Sequence, residues 1–161
     1  MEVSQKVRKT IKRKEYMMHI FFECTIKYEK TLENGVRKKI SEKYLVDSIS
    51  FTEAEKRITE EMKPYTSGAF TVSAIKRSKY TEVFPCSDDK SDKWYKVKLN
   101  IIIPDEKTGV EKKQAMYNLV QAESVGDART RFDVEMQGTV FDYEIESISE
   151  TKIIEVYQFK S

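Results

Sequence analysis

The sequence predicts an α+β fold made by tandem duplication of a β-β-α-β unit, with antiparallel sheets and one helix per repeat. Three observations carry this. Blocks of residues recur in register, each copy opens with strict two-residue alternation that runs into a turn signal, and each copy then shows one four-residue apolar stripe. At one offset, Gly35-Val36, Lys38-Lys39, Leu45-Val46, Ser50, Ala54, Arg57, Glu61 and Met62 return as Gly109-Val110, Lys112-Lys113, Leu119-Val120, Ser124, Ala128, Arg131, Glu135 and Met136. At an offset one residue shorter, Phe22, Cys24 and Ile26 match Tyr95, Val97 and Leu99. The same shorter offset matches Val72, Ile75 and Phe84 to Ile145, Ile148 and Tyr157.

The elements run in order along each copy. Phe22, Cys24, Ile26 and Tyr28 alternate along one face of the first strand, and Tyr95, Val97, Leu99 and Ile101 do so in the second copy. Glu33-Asn34-Gly35 and Lys107-Thr108-Gly109 turn the chain, since Asn and Gly tolerate positive φ, and returning strands run to about Val46 and Val120. Ser50 with Glu53, and Ser124 with Asp127, resemble capping boxes. Ala54, Ile58 and Met62, like Ala128, Phe132 and Met136, make the helix stripes, which stop before Pro64 and Gly138. A final long strand has a phase slip between Ala74 and Ile75, repeated between Ser147 and Ile148, which predicts a bulge or bend. The organisation is a basic arm over 1–16, a first repeat over 17–84, a polar linker over 85–93 and a second repeat over 94–161. At about 65 residues neither repeat buries its apolar faces well alone, so the two are expected to form one compact domain about a pseudo-twofold axis.

Composition narrows the function classes. Of 161 residues, 39% are hydrophobic and 35% charged, enough apolar material for a core and far from a disordered composition. No apolar run reaches the roughly 20 residues of a membrane span and no secretion signal is evident, so a cytoplasmic protein without a membrane partner is expected. Cys24 and Cys86 are too few for a disulfide framework, and Cys24 reads as a buried strand thiol. With His19 the only histidine, His-pair zinc sites are excluded. His19 and Cys24, five apart in an extended run, point to opposite faces and form no dyad. Phosphate loops, dinucleotide fingerprints and nucleophile elbows are absent. Pro104-Asp105 with Glu111 and Lys113 imitates a metal-nuclease pattern, but these residues flank one tight turn and read as solvated turn charges. No catalytic residue, metal or cofactor is assigned, and the chain is expected not to be an enzyme.

Two features point to nucleic acid. Residues 1–15 carry Lys6, Arg8, Lys9, Lys12, Arg13 and Lys14 against two glutamates, while the chain as a whole is only +2, so the remainder is slightly acidic. Lys9, Lys12, Arg13 and Lys14 are candidate phosphate contacts; the alternative is a solvated tail or a start ahead of Met17 or Met18. The outward face of the opening strands carries Phe21 and Lys27 in copy one and Trp94, Lys96 and Lys98 in copy two. Lys76, Arg77, Lys79 and Tyr80 add a second basic-aromatic cluster. Aromatics among cations suit single strands, where bases stack and phosphates meet ammonium groups. The alternative is that Trp94 and Phe21 cover an edge of the core.

The segments Phe21-Phe22-Glu23-Cys24, Tyr28-Glu29-Lys30-Thr31, Tyr44-Leu45-Val46-Asp47, Ser50-Phe51-Thr52-Glu53-Ala54-Glu55 and Ile75-Lys76-Arg77 resemble an uncharacterised domain family of Bacteroidetes bacteria and their phages and mobile elements. The resemblance covers roughly Met18 to Tyr157 and implies no established activity. A phage or mobile-element setting, inside a bacterial host cell, implies a DNA-associated role. The expected function is a non-enzymatic module binding nucleic acid, above all single-stranded DNA. The alternative is a protein-interaction or assembly module, pairing with a protein partner or another copy through sheet edges.

Overall fold

The computed structural model describes residues 20–66 and 68–159. Its elements run β1 (Ile20–Thr31), β2 (Arg37–Ser48), α1 (Phe51–Met62), β3 (Phe70–Arg77) and β4 (Tyr80–Phe84). They continue with β5 (Lys93–Pro104), β6 (Glu111–Ala122), α2 (Val125–Glu135), β7 (Asp142–Glu150) and β8 (Ile153–Tyr157). The duplicated α+β architecture is therefore present, with one helix and the same strand succession in each half.

The hairpins differ in their turns, and this explains why the repeat offset lengthens by one residue between the opening strand and the returning strand. In the first, Gly35 N–H donates to Leu32 C=O at 2.9 Å, and Leu32 N–H to Val36 C=O at 2.9 Å. Gly35 takes φ +81° while, among the described residues, no non-glycine has positive φ, so Asn34 keeps a negative φ and its side chain accepts from Val36 N–H at 3.1 Å. That is a three-residue loop ending in a glycine bulge, with only the glycine using the left-handed region. In the second, Gly109 N–H reaches back to Asp105 C=O at 2.9 Å, closing a loop one residue longer.

Both helices begin as the sequence reading expected. The Ser50 and Ser124 hydroxyls accept from Glu53 N–H and Asp127 N–H, each at 3.1 Å. The reciprocal carboxylate bond is absent from the first cap among the described residues. In the second, Asp127 Oδ2 accepts from Glu123 N–H at 3.2 Å, one residue before the cap. Each helix lays its stripe on its sheet. Phe22, Cys24, Ile26, Tyr44, Val46, Ala54, Ile58 and Met62 form one core. Tyr95, Val97, Leu99, Val120, Ala122, Ala128, Phe132 and Met136 form the other, and the two cores share every position except Tyr44, which answers to Asn118, and Ala122, which answers to Ser48.

The repeated slip is a bulge in both halves. Between the pairs Thr25↔Ala74 and Ile26↔Val72, Ser73 is skipped in the register with β1, and between Lys98↔Ser147 and Leu99↔Ile145, Glu146 is skipped in the register with β5. Each lies one residue upstream of where apolar alternation alone located it.

Beyond the bulge, the chain departs from the expectation of one long bent strand. Ser78 N–H donates to Phe21 C=O and Thr151 N–H to Trp94 C=O, each at 2.8 Å, and these equivalent bonds end β3 and β7. The chain then starts a new strand in the other sheet. One sheet has the order β3-β1-β2-β8, the other β4-β6-β5-β7. β4 joins β6 in parallel, and both sheets are mixed rather than wholly antiparallel. The described residues accordingly group into one unit up to Ser78 with those from Glu155 onward, and a second unit of Lys79–Ile154. Each unit takes one strand from the other half of the sequence.

Candidate nucleic-acid interface

The sequence-predicted residues fall into three groups. Lys9, Lys12, Arg13 and Lys14 lie outside the described residues. Phe21 and Trp94 are only 7% and 1% exposed, so neither offers a ring to a base. Alternation does place them on the sheet face opposite the helix, together with the fully buried Leu45 and Leu119, but that face is not solvated at these positions. The exposed stacking platform read from the sequence is corrected on this point. Both rings sit where the strand-ending bonds to Ser78 and Thr151 fix the backbone, and the Thr151 hydroxyl adds a second bond to Trp94 C=O at 2.8 Å.

The remaining residues are accessible in part. In the first unit Lys27 is exposed on β1, opposite Ser41 and Thr71. Lys76 lies 3.7 Å from the Glu23 carboxylate, which also takes Lys43 at 3.2 Å; one carboxylate serves two ammonium groups there. The Arg77 guanidinium stands 5.9 Å from the ring centre of Phe51. In the second unit Lys96 is half-buried on β5 beside Leu119 and Ser149.

Lys79, Tyr80 and Lys98 converge. Their common centre is Tyr117 on β6, a residue that sequence reasoning missed. The Lys79 ammonium lies 4.4 Å from the Tyr117 ring centre and the Lys98 ammonium 6.0 Å, both within cation–π range. Lys98 is directly opposite Tyr117 across the β5–β6 pair, and Tyr80 is opposite it across the β4–β6 pair. Counting back from the Gly109 turn would have put Tyr117 opposite Lys98; the approach of β4 had no local signal. Lys98 also holds Glu146 at 3.1 Å, and Asn100 donates to the same carboxylate at 3.3 Å. Glu146 is the bulge residue, re-aimed toward β5 by the break in register. The bond and charge of Glu146 push the Lys98 pKa up, and the bond from Lys98 holds that of Glu146 down. The cluster is thus cationic, aromatic and half-exposed, with one carboxylate at its margin.

The turn charges behave as turn elements. Asp105 accepts from Lys107 N–H at 2.9 Å, which holds its carboxyl below the usual range, and Lys113 pairs with Glu144 at 3.0 Å. Among the described residues no three of His, Cys, Asp and Glu gather as a metal site, and no helix is long and apolar enough to cross a membrane. An open groove of about 320 Å³ in the second unit lies among Phe84, Pro85, Val120, Gln121, Arg131 and Val134.

A duplicated α+β architecture with exchanged strands and a cation-aromatic surface cluster defines the class of the molecule. The chain belongs to a family described as a domain of unknown function, DUF4494, whose model matches residues 20–159. No curated protein matches it.

Proposed function

We propose that the chain is a non-enzymatic module that binds nucleic acid, most specifically single-stranded DNA, in the setting of a phage or mobile element within the cytoplasm of a bacterial host. The observation that supports this reading is the Tyr117 cluster: two ammonium groups over one half-exposed ring, with Tyr80 beside it. Bases stack on aromatic faces without regard to sequence, while neighbouring cations take the phosphates. Tyr117 and Tyr80 replace Trp94 and Phe21 as the stacking residues. The other cations of the reading, Lys27, Lys76, Arg77 and Lys96, add to the electrostatic surface.

Fluorescence anisotropy of a labelled oligothymidylate tests the proposal. Tyr117→Ala is expected to weaken binding by about 1–3 kcal/mol, roughly 5- to 150-fold. Trp94→Phe leaves affinity unchanged. Absence of binding at low salt, or an affinity indifferent to salt, ends the reading. The alternative, a protein-assembly module, draws support from β3, β4, β7 and β8 standing at sheet ends. Sedimentation velocity showing a stable oligomer together with no oligonucleotide binding would favour it.

A further inference from the structure

The surface feature that the Tyr117 cluster leaves unused is the far end of the first hairpin. β3 follows β1 only as far as Tyr28↔Phe70; beyond it, Glu29–Thr31 pair with Arg37–Lys39. Every residue from Glu29 to Lys39 is exposed. Between Lys27 and Lys39 this ribbon carries Lys27, Lys30, Arg37, Lys38 and Lys39 against Glu29 and Glu33.

The arrangement of these charges is unfavourable in isolation. Lys30 stands directly opposite Lys38 on the helix-side face, and directly opposed like charges destabilise a strand pair. Among the described residues neither lysine makes an ion pair, nor does Lys27; Lys39 stands opposite Glu29, whose carboxylate is shared with Arg37. Arg37 alone reaches a carboxylate, Glu29, at 3.7 Å with both side chains largely exposed, an interaction of little energy. The fold does not require this. In the duplicate hairpin the position of Lys30 is taken by Ile103, opposite Lys112. There Lys107, Lys112 and Lys113 are matched by Asp105, Glu106 and Glu111. One unit of scaffold therefore carries a neutral ribbon and its twin a cationic one.

We propose that the β1–β2 ribbon of the first unit is a second nucleic-acid contact, with a backbone phosphate held between Lys30 and Lys38. An anion placed there turns a repulsive pair into two charge-assisted hydrogen bonds. Lys27 and Lys39 on the opposite face extend the contact along the strand. The ribbon reads phosphates and not bases, because its exposed end carries no aromatic ring. This inference rests on the nucleic-acid reading above and adds to it where the backbone is gripped.

The test uses the full chain and a fluorescein-labelled oligothymidylate, titrated from about 50 to 200 mM NaCl. Lys30→Gln with Lys38→Gln is compared with a control in the duplicate ribbon, Lys107→Gln with Lys112→Gln. Circular dichroism checks that both variants keep the fold. With a slope of about −0.7 per single-strand phosphate contact, losing the one phosphate held between Lys30 and Lys38 is expected to flatten the log–log salt dependence by about 0.7. At 0.1 M salt that corresponds to about 5-fold weaker binding. The control leaves the slope as in the parent. Equal loss in both variants, or an unchanged slope in the Lys30/Lys38 variant, overturns the ribbon contact. So does a variant that loses only its binding to phosphatidylserine vesicles. If the parent binds and Tyr117→Ala weakens it while the ribbon variant does not, the ribbon alone fails. If the parent does not bind at low salt, both proposals fall together.

Discussion

Asn118 offers a quantitative check on how the two halves are matched. It lies on β6 opposite Val97, on the helix-facing side, and is fully buried. Neither its Oδ1 nor its Nδ2 has a hydrogen-bond partner among the described residues. Its counterpart in the first half is Tyr44, buried at the same place but long enough for its phenol to donate to Glu42 at 2.6 Å. Asn118 is shorter, and Met116 stands at the position of Glu42. A buried polar group without a partner costs about 1–3 kcal/mol. Asn118→Leu removes two such atoms while keeping the side chain's heavy-atom count and branching, and it suits the apolar face, so a gain of about 2 kcal/mol is expected. For a chain of this size that raises the thermal midpoint by roughly 4–8 °C. Thermal melts, with urea unfolding to verify an unchanged m-value, measure it. A lowered midpoint would refute the reasoning, because it would mean that the amide is held by bonds worth more than its burial costs.

Two further outcomes come from comparing equivalent positions. Tyr28 and Tyr44 donate to the two oxygens of Glu42, at 2.7 and 2.6 Å. The bond to Glu42, with burial and its charge, pushes the Tyr28 phenol up to about 12, and burial followed by Glu42 raises Tyr44 further. Since the folded pKa lies above the unfolded value of about 10, the stability from these phenols is complete below pH 10 and lost as pH rises through 12. Glu42→Gln should bring Tyr28 back toward its ordinary range in an ultraviolet phenolate titration; an unchanged curve would show that Glu42 is not the cause. Separately, Cys86 occupies the position that Phe159 holds in the first unit, where the ring lies 5.6 Å below the Arg57 guanidinium. Cys86→Phe should place a ring against Arg131 and part of the 320 Å³ groove. A gain of about 1 kcal/mol, or 2–4 °C in melting, is expected; no gain means the ring stays in solvent.

Much of the fold was legible because duplication doubles every signal. The alternation Phe22-Cys24-Ile26 is short on its own, but its recurrence as Tyr95-Val97-Leu99 made the strand secure, and both triplets are fully or almost fully buried. The serine caps and the bulges were readable for the same reason. The strand exchange was not. Tyr80–Phe84 and Ile153–Tyr157 have the apolar pattern of a strand in either sheet, and only tertiary pairing decides which one receives them. Trp94 shows a second limit. Alternation correctly put it on the face with Lys96 and Lys98, but alternation gives a direction and not an exposure. The one-residue longer turn before Gly109 shifted the repeat offset visibly, yet its meaning required the bond to Asp105.

The two halves keep most of their interiors alike and differ on their surfaces. Ala54 with Ala128, Met62 with Met136 and Val46 with Val120 are identical and buried, as packing around a shared scaffold demands. Tyr117, by contrast, answers to Lys43, which is tied to Glu23, and Lys30 answers to Ile103. Each half thus carries a cationic feature that its twin lacks: a cation-aromatic cluster in one, an unbalanced basic ribbon in the other. Scaffold needs cannot account for either feature, because the sister copy folds without it. Placing the twin's residue at each position, Tyr117→Lys and Lys30→Ile, is therefore expected to leave the fold intact by circular dichroism. Loss of the fold in either variant would return that feature to the scaffold.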